Sequence, residues 1–321
     1  MILLIGAGGY VGTQFARELR ARGREFTAPR HAELDASRFD ALLAWLRGRR
    51  PEFVVNCAGY TGKPNVDACE SDRAGTLAGN VLLPQTIAHA CAAAGIPWGH
   101  VSSGCIYSGA KVRGDDGRLR GEKDLMAPGV RGLLDGARDR LVGFAEEDAP
   151  NFSFRDGPCS FYSGTKALGE EAIAGIGESF VWRLRIPFDH VDGARNYLSK
   201  IQHYSRVYDN ANSISHLGDF VSACLDCWDQ RVPFGTYNIT NPGFVTTRDV
   251  VALIEARLRP GRRFEYWQDD AEFYGVAAKT PRSNCILDSG KLLRAGVRIR
   301  PVTEALEDAL ARWQPEKPPT P

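Results

Sequence analysis

The sequence predicts an α/β fold, a doubly wound parallel sheet with a smaller C-terminal substrate domain. Three observations carry the prediction. The chain opens on a short apolar run, Met1–Ile5, that leads straight into a glycine-rich turn and an amphipathic helix. Short apolar runs then alternate with helical patterns to about residue 188, the alternation that builds a parallel sheet covered by helices on both faces. From about Asp189 that alternation breaks down.

The strand Met1–Ile5 is followed by Gly6-Ala7-Gly8-Gly9-Tyr10-Val11-Gly12 and a helix with Val11, Phe15, Ala16 and Leu19 on one face. Strand, glycine turn and helix together make the Rossmann-type context in which a glycine motif holds a dinucleotide. Gly6 permits the tight turn, Gly9 lets a diphosphate approach the backbone beside Tyr10 and Val11, and Gly12 lets the helix pack on the strand. The diphosphate then meets the positive end of the helix. A second strand, Glu25–Ala28, ends in Pro29-Arg30 instead of an acidic residue. An arginine there faces a ribose 2′-phosphate, which favours NADPH with NADH as the alternative; otherwise Arg30 is simply solvated. Asp35 either touches adenine or caps the helix that follows. Phe53–Asn56 reads as a buried strand whose C-terminal end carries Ala58, Gly59 and Tyr60, at the sheet edge where open α/β folds bind ligands. A helical run from Asn80 to Ala94 leads to the strand Trp98–Ser102, after which Ser103 and Cys105 point the same way if the chain stays extended.

In Phe161-Tyr162-Ser163-Gly164-Thr165-Lys166, Tyr162 and Lys166 lie one helical turn apart on one face. An ammonium beside a phenol favours the phenolate and lowers its pKa from about 10. Downstream, His216 to Trp228 and Tyr237–Thr240 read as a helix and a last strand returning to the first domain. The expected division is residues 1–188 plus 216–242 for the dinucleotide, and 189–215 plus 243–321 for substrate. Glu304 to Trp313 closes the chain as a helix, with a Pro-rich tail from Pro315.

Composition narrows the class. A chain of 321 residues, 43% hydrophobic, has enough length for a large core or two unequal domains. A net charge of +1 gives no electrostatic footprint for nucleic acid or an anionic membrane. No apolar run approaches the ~20 residues of a membrane span, and Met1–Ile5 lacks the flank of a signal peptide, so a cytoplasmic protein is expected. The eight cysteines sit mostly in apolar patterns, as reduced thiols do. Cys224 and Cys227 lie within a helical pattern and read as packing, so no metal site is expected.

The glycine turn, Asn56-Cys57-Ala58-Gly59, Asn80, Ser103 and the Tyr162/Lys166 pair together resemble an extended short-chain dehydrogenase/reductase. Tyr60-Thr61, Val66-Asp67, Glu70 and Pro84 narrow the resemblance to dTDP-4-dehydrorhamnose reductases. Thr61–Asp67, Ser103–Ile106, Glu146–Phe152, Ser160–Ser163, Ala194–Ile201, Thr240–Gly243 and Pro281–Asn284 bring it closest to bifunctional nucleotide-rhamnose synthases, which are 3,5-epimerase/4-reductases. The resemblance implies an NADPH-dependent 4-reductase, and also a 3,5-epimerase, of a nucleotide-linked 4-keto-6-deoxyhexose. Tyr162 would protonate the oxygen as hydride reaches carbon, and Ser103 would hydrogen-bond that oxygen. Lys166 would hold the ribose hydroxyls, and Asn80 would hold a water relaying protons to Lys166. Pro187 would line the cofactor site. Cys105 and Lys200 would be the epimerase acid–base pair; read without the resemblance, they are a small core residue and a solvated charge. Lys63, Asn65 and Asn196 would line the substrate site, and Arg282 would meet the diphosphate unless it sits in a structural salt bridge. A 4,6-dehydratase is disfavoured, because Gly104-Cys105 stands where such enzymes carry Asp-Glu. A regulatory subunit is disfavoured by the retained Tyr/Lys pair. A homodimer through the tyrosine helix also fits the resemblance. Two departures bear on substrate identity: a charged, Gly-rich insertion over 108–145, expected as an irregular lid or binding loop, and extra residues at Phe154–Pro158.

Overall fold

A computed structural model describes residues 1–63 and 65–315; Pro64 and the expected tail beyond Pro315 lie outside the described residues. Four strands, β1 (Ile2–Ile5), β2 (Phe26–Thr27), β3 (Phe53–Asn56) and β4 (Trp98–Ser103), join the strands Ser179–Leu184 and Gly235–Asn238 in one six-stranded sheet. The order is Gly235–Asn238, Ser179–Leu184, β4, β3, β1, β2, and every neighbouring pair is parallel. The order reverses between β1 and β3, so the crevice at their C-terminal ends is the ligand-binding switch point of such sheets. The last strand falls at Gly235–Asn238, two residues earlier than the apolar run suggests.

Strands β1 and β3 are buried along their whole length, because helices cover both faces. On one face, helix α1 (Tyr10–Ala21) buries Gly12, Phe15, Ala16 and Leu19 at helical spacing and packs on the helix Leu217–Asp229. Cys224 and Cys227 sit in that core with Phe53, Trp182 and Trp228, so both are packing residues. On the other face, α2 (Phe39–Arg49) packs beside the helix Leu83–Ala94. A second core, built from Phe188, Leu198, Ile201, Ile214, Ile254 and Leu306, gathers the segments after residue 186 that do not return to the sheet.

The insertion over 108–145 is not an irregular loop. Ala110–Arg113 pairs antiparallel with both Leu119–Glu122 and Leu141–Val142, and the helix Pro128–Gly136 folds over them. Ala110, Leu125, Val130, Leu134 and Leu141 form a small core shared with Ala211 and Ile286. Three glycines inside the helix, Gly129, Gly132 and Gly136, have poor intrinsic helix propensity, so burial of Val130 and Leu134 supplies what local preference does not. The extra residues at Phe154–Pro158 lie across the tyrosine helix, where Phe154 rests on Gly164 and Arg155 donates to Glu171 at 2.7 Å.

Candidate active site

The crevice begins at the glycine turn. Gly6 takes a φ of +83°, and a Cβ there would lie 2.6 Å from Ala58 N; one at Gly12 would lie 2.1 Å from Gly6 O. Only glycine lets turn, helix and β3 meet this closely. Helix α1 has Gly9 as its N-cap, no side-chain cap and no acidic residue in its first turn. Its leading N–H groups are therefore left for an anion, which fits a dinucleotide diphosphate. Val11 packs against the core. The Tyr10 phenol is turned inward, and burial followed by Asp189 raises its pKa.

The adenosine end is less constrained. Arg30 is 84% exposed and its guanidinium lies 3.2 Å from Glu33. Asp35 accepts from Ser37 N and Oγ, so it fixes the turn before α2; the cap of that helix is Arg38. Ala58 N is held by Asn56 Oδ1 at 2.9 Å. Asn80 lies in the wide helical turn Ala78–Leu82, where its side chain accepts from Tyr60 N and donates to Tyr60 O, both at 2.9 Å. A Cβ on Gly59 would sit 3.2 Å from Asn80 Oδ1 and 3.5 Å from Lys166 Nζ, so both side chains converge on this backbone. Pro187 is half-buried in a two-residue strand, just after Ile186, whose φ is +36°. A β-branched residue there marks real backbone strain.

The reacting groups meet at the C-terminal end of β4. The chain turns immediately after Ser103, in a tight Gly104–Ile106 helical turn, and Ser103 Oγ caps it by accepting from Cys105 N at 3.2 Å. The two side chains are thus brought together by a turn and not by extended chain. Tyr162 enters from the tyrosine helix Phe161–Ile173, whose N-terminus is capped by Ser160 and whose Phe161 N–H donates to Glu70 at 2.7 Å. Its phenol is buried beside Ser103 and Cys105, the neighbouring groups that act on its ionisation.

The electrostatics correct one expectation. Burial raises the Tyr162 pKa, the nearby Cys105 adds to the rise, and the Ser103 hydrogen bond opposes it. Lys166 does not pull it down: its Nζ is turned toward Val101 O at 3.5 Å. Tyr162 is therefore a proton-loaded acid. Lys166 itself is buried and pushed down to about 8, with Glu170 and Cys105 opposing the fall. Folding binds that proton less tightly than the unfolded chain, so the destabilisation is complete below pH 8 and is relieved as pH rises toward 10.5. Lys166→Met is accordingly expected to stabilise the cofactor-free protein near neutral pH by about 3 kcal/mol. That gain should vanish in urea unfolding near pH 10.5, and no gain at neutral pH would mean the ammonium is not desolvated.

On the substrate side, Lys200 is half-buried, and burial followed by Arg195 lowers its pKa, the direction an acid–base lysine needs. Among the described residues its ammonium has no hydrogen-bond or salt-bridge partner. Asn196 is a correction. It is fully buried, donates to Asp189 O and Val191 O at 2.7 Å, and caps the helix Tyr197–His203 through Leu198 N, which leaves no group for substrate. Lys63 is exposed, and Asn65 is exposed with its Oδ1 accepting from Asp67 N. Arg282 stands in a salt bridge to Asp67 at 2.8 Å and donates to Thr280. Arg195 reaches Thr61 Oγ1 at 3.0 Å and Gly62 O at 3.3 Å, joining the two sides of the crevice.

Three residues escaped the sequence reading. Arg185 is 1% exposed and donates to Cys105 Sγ at 3.3 Å. Arg183 is buried against Glu170 at 2.7 Å. The signal was present: two arginines at alternate positions after Phe180-Val181-Trp182 put charge inside a buried strand, and buried charge demands a partner. The third residue is Asp189, which groups with His190 and His216; their ligand atoms all lie within 4.8 Å of one another. Asp189 Oδ1 accepts from His190 N at 2.7 Å, and His190 Nδ1, also 2.7 Å from it, is buried without a hydrogen-bond partner among the described residues.

A parallel sheet with a glycine cradle at its switch point, and a buried Ser–Tyr–Lys set beside it, define an oxidoreductase of the extended short-chain type. Residues 1–314 match the family model described as RmlD substrate binding domain, and the chain belongs to that family. It is 28% identical, over 95% of its own length and 90% of the relative's, to the bifunctional dTDP-4-dehydrorhamnose 3,5-epimerase/dTDP-4-dehydrorhamnose reductase of Arabidopsis thaliana. It also matches trifunctional Arabidopsis proteins, of whose length it spans about two fifths. Among solved structures, the L780 UDP-rhamnose synthase of Acanthamoeba polyphaga mimivirus superposes with a TM-score of 0.81, at 22% identity over 97% of this chain and 99% of the other. The dTDP-4-dehydrorhamnose reductase of Bacillus anthracis, solved in complex with NADP, gives 0.74 at 17% identity over 97% of both chains. At these identities the structures establish a shared fold. No helix among the described residues is long and apolar enough to cross a membrane.

Proposed function

We propose that this protein is an NADPH-dependent 4-reductase, and also the 3,5-epimerase, of a nucleotide-linked 4-keto-6-deoxyhexose, yielding an L-rhamnose-type nucleotide sugar. The observation that carries the reading is the convergence of Ser103, Cys105 and Tyr162 at the end of β4, beside a cradle fitted to a dinucleotide. The names of the Arabidopsis relative and the NADP-bound Bacillus structure agree with it. In this reading residues 1–188 and 216–242 hold the cofactor, and 189–215 with 243–315 hold the sugar nucleotide.

Bound NADPH would supply the hydride. The protein's share is to place and protonate. The uncapped end of α1 would hold the diphosphate, and Arg30 would meet the 2′-phosphate. Lys166 would hold the ribose hydroxyls, and Asn80 would hold the water that relays protons to it. Tyr162, kept protonated by burial, gives its proton to the carbonyl oxygen while Ser103 hydrogen-bonds that oxygen. Carbons 3 and 5 both flank the keto group, so one enolising site serves both. Cys105 is the base on one face, and Lys200 the acid on the other.

Incubation with 4-keto-6-deoxyglucose nucleotides and NADPH in deuterated water tests both halves. Cofactor consumption and deuterium at carbons 3 and 5 are expected. Cys105→Ser should retain reduction of a substrate already epimerised while losing deuterium incorporation by about 10²-fold or more. Deuterium that appears only when a separate epimerase is added would remove the Cys105/Lys200 assignment and leave the reductase standing.

A further inference from the structure

We infer that Arg185 is the counter-cation that holds the Cys105 sulfur as a thiolate, making it a positioning residue for proton abstraction from the sugar. The inference rests on the epimerase reading for its purpose, but not for its geometry. Arg185 follows the strand Ser179–Leu184 and is 1% exposed. Arg183, two residues earlier, has its charge matched by Glu170. Arg185 has no carboxylate within salt-bridge distance among the described residues. Its Nη1 donates to Cys105 Sγ at 3.3 Å and to Ser283 Oγ at 3.1 Å; its Nη2 donates to Ser283 O at 2.6 Å and to Asn212 Oδ1. Its Nε is buried without a partner. Every acceptor except the sulfur is permanently neutral.

A buried guanidinium cannot shed its proton, so it needs an anion. The ionisable groups around Cys105 are few. Tyr162 faces it from the tyrosine helix, as does Lys166, and Cys285 faces it from the segment after Ser283. Burial keeps the Tyr162 phenol and the Cys285 thiol protonated, and Lys166 is a cation. The half-buried Cys105 sulfur is the group left to carry the negative charge. In the epimerisation step Sγ gains the proton from the carbon next to the keto group, the C–H electron pair moves into the enolate, and an acid on the opposite face returns a proton to that carbon. Ser283 and Asn212, which grip the guanidinium, keep it aimed at the sulfur.

Alkylation of the Cys105 peptide by iodoacetamide, followed by mass spectrometry across a pH series, tests this without substrate. Arg185→Met should react about tenfold or more slowly near neutral pH, with its profile moved to higher pH, and Arg185→Lys should recover part of the difference. Arg185→Gln removes the charge while leaving a polar amide in the pocket, so it decides the matter if the Met variant misfolds; Cys224 and Cys227 remaining unalkylated reports an intact core. A Cys105 profile that is the same in the wild-type, Met and Gln proteins overturns the inference. Deuterium exchange at carbons 3 and 5 separates the two readings. A shifted profile in a protein that exchanges no deuterium keeps the ion pair and removes the epimerase, whereas exchange with an unshifted profile does the reverse.

Discussion

Tyr162→Phe is expected to lower kcat for reduction by about 10²–10⁴, the usual contribution of a positioned general acid. The phenol is the buried proton donor at the end of β4, and the neighbouring Ser103 cannot replace it, because a serine hydroxyl is a far weaker acid. Phenylalanine fills the same volume and strands only the Ser103 hydroxyl, which still accepts from Cys105 N at 3.2 Å. Folding and KM should therefore change little, so the loss should appear in kcat and not in thermal stability. Cys105 and Arg185 are untouched, so deuterium should still enter the sugar in deuterated water. Steady-state cofactor oxidation and deuterium content, measured on one preparation, check both statements. A kcat within a few-fold of wild type would remove Tyr162 as the acid.

The parts of this protein that could be read from sequence are those whose signal is local. The glycine turn shows in sequence because Gly6 answers its own positive φ and Gly12 answers a contact with Gly6 O inside the same strand–helix unit. Tyr162 and Lys166 show because helical spacing alone puts them on one face. What was hidden depends on distant partners. Asn196 looked like a substrate ligand, yet its bonds to Asp189 and Val191 make it a cap buried in the second core. The Tyr162 pKa was misread from its helical neighbour because burial, a property of the whole fold, outweighs that neighbour. The insertion looked structureless because its small core borrows Ala211 and Ile286 from far along the chain. Arg185 shows the same limit: nothing near it in sequence announces Cys105, eighty positions away.

Glu170→Ala is expected to cost about 3–5 kcal/mol of stability, the penalty for stranding one partner of a buried ion pair. Glu170 lies on the tyrosine helix one turn beyond Lys166 and accepts from Arg183 Nη2 at 2.7 Å, from Arg183 Nε at 3.1 Å and from Ser102 Oγ at 2.5 Å. The two side chains are 12% and 5% exposed, so water cannot replace the lost partner. Burial works against the Arg183 charge and Glu170 is the foremost group that opposes it, so removing the carboxylate takes away the main compensation. The double variant Glu170→Leu/Arg183→Met should recover most of the loss, since an apolar pair of similar volume carries no desolvation penalty. Urea unfolding of the three proteins measures this, and a single-variant loss below about 1 kcal/mol would mean the pair is effectively solvated. The same substitution reaches the active site. Glu170, ahead of Cys105, opposes the burial-driven fall of Lys166, so without it the Lys166 ammonium titrates below its present value of about 8. The pair that locks the tyrosine helix to the sheet thereby also sets the charge of the lysine one turn away.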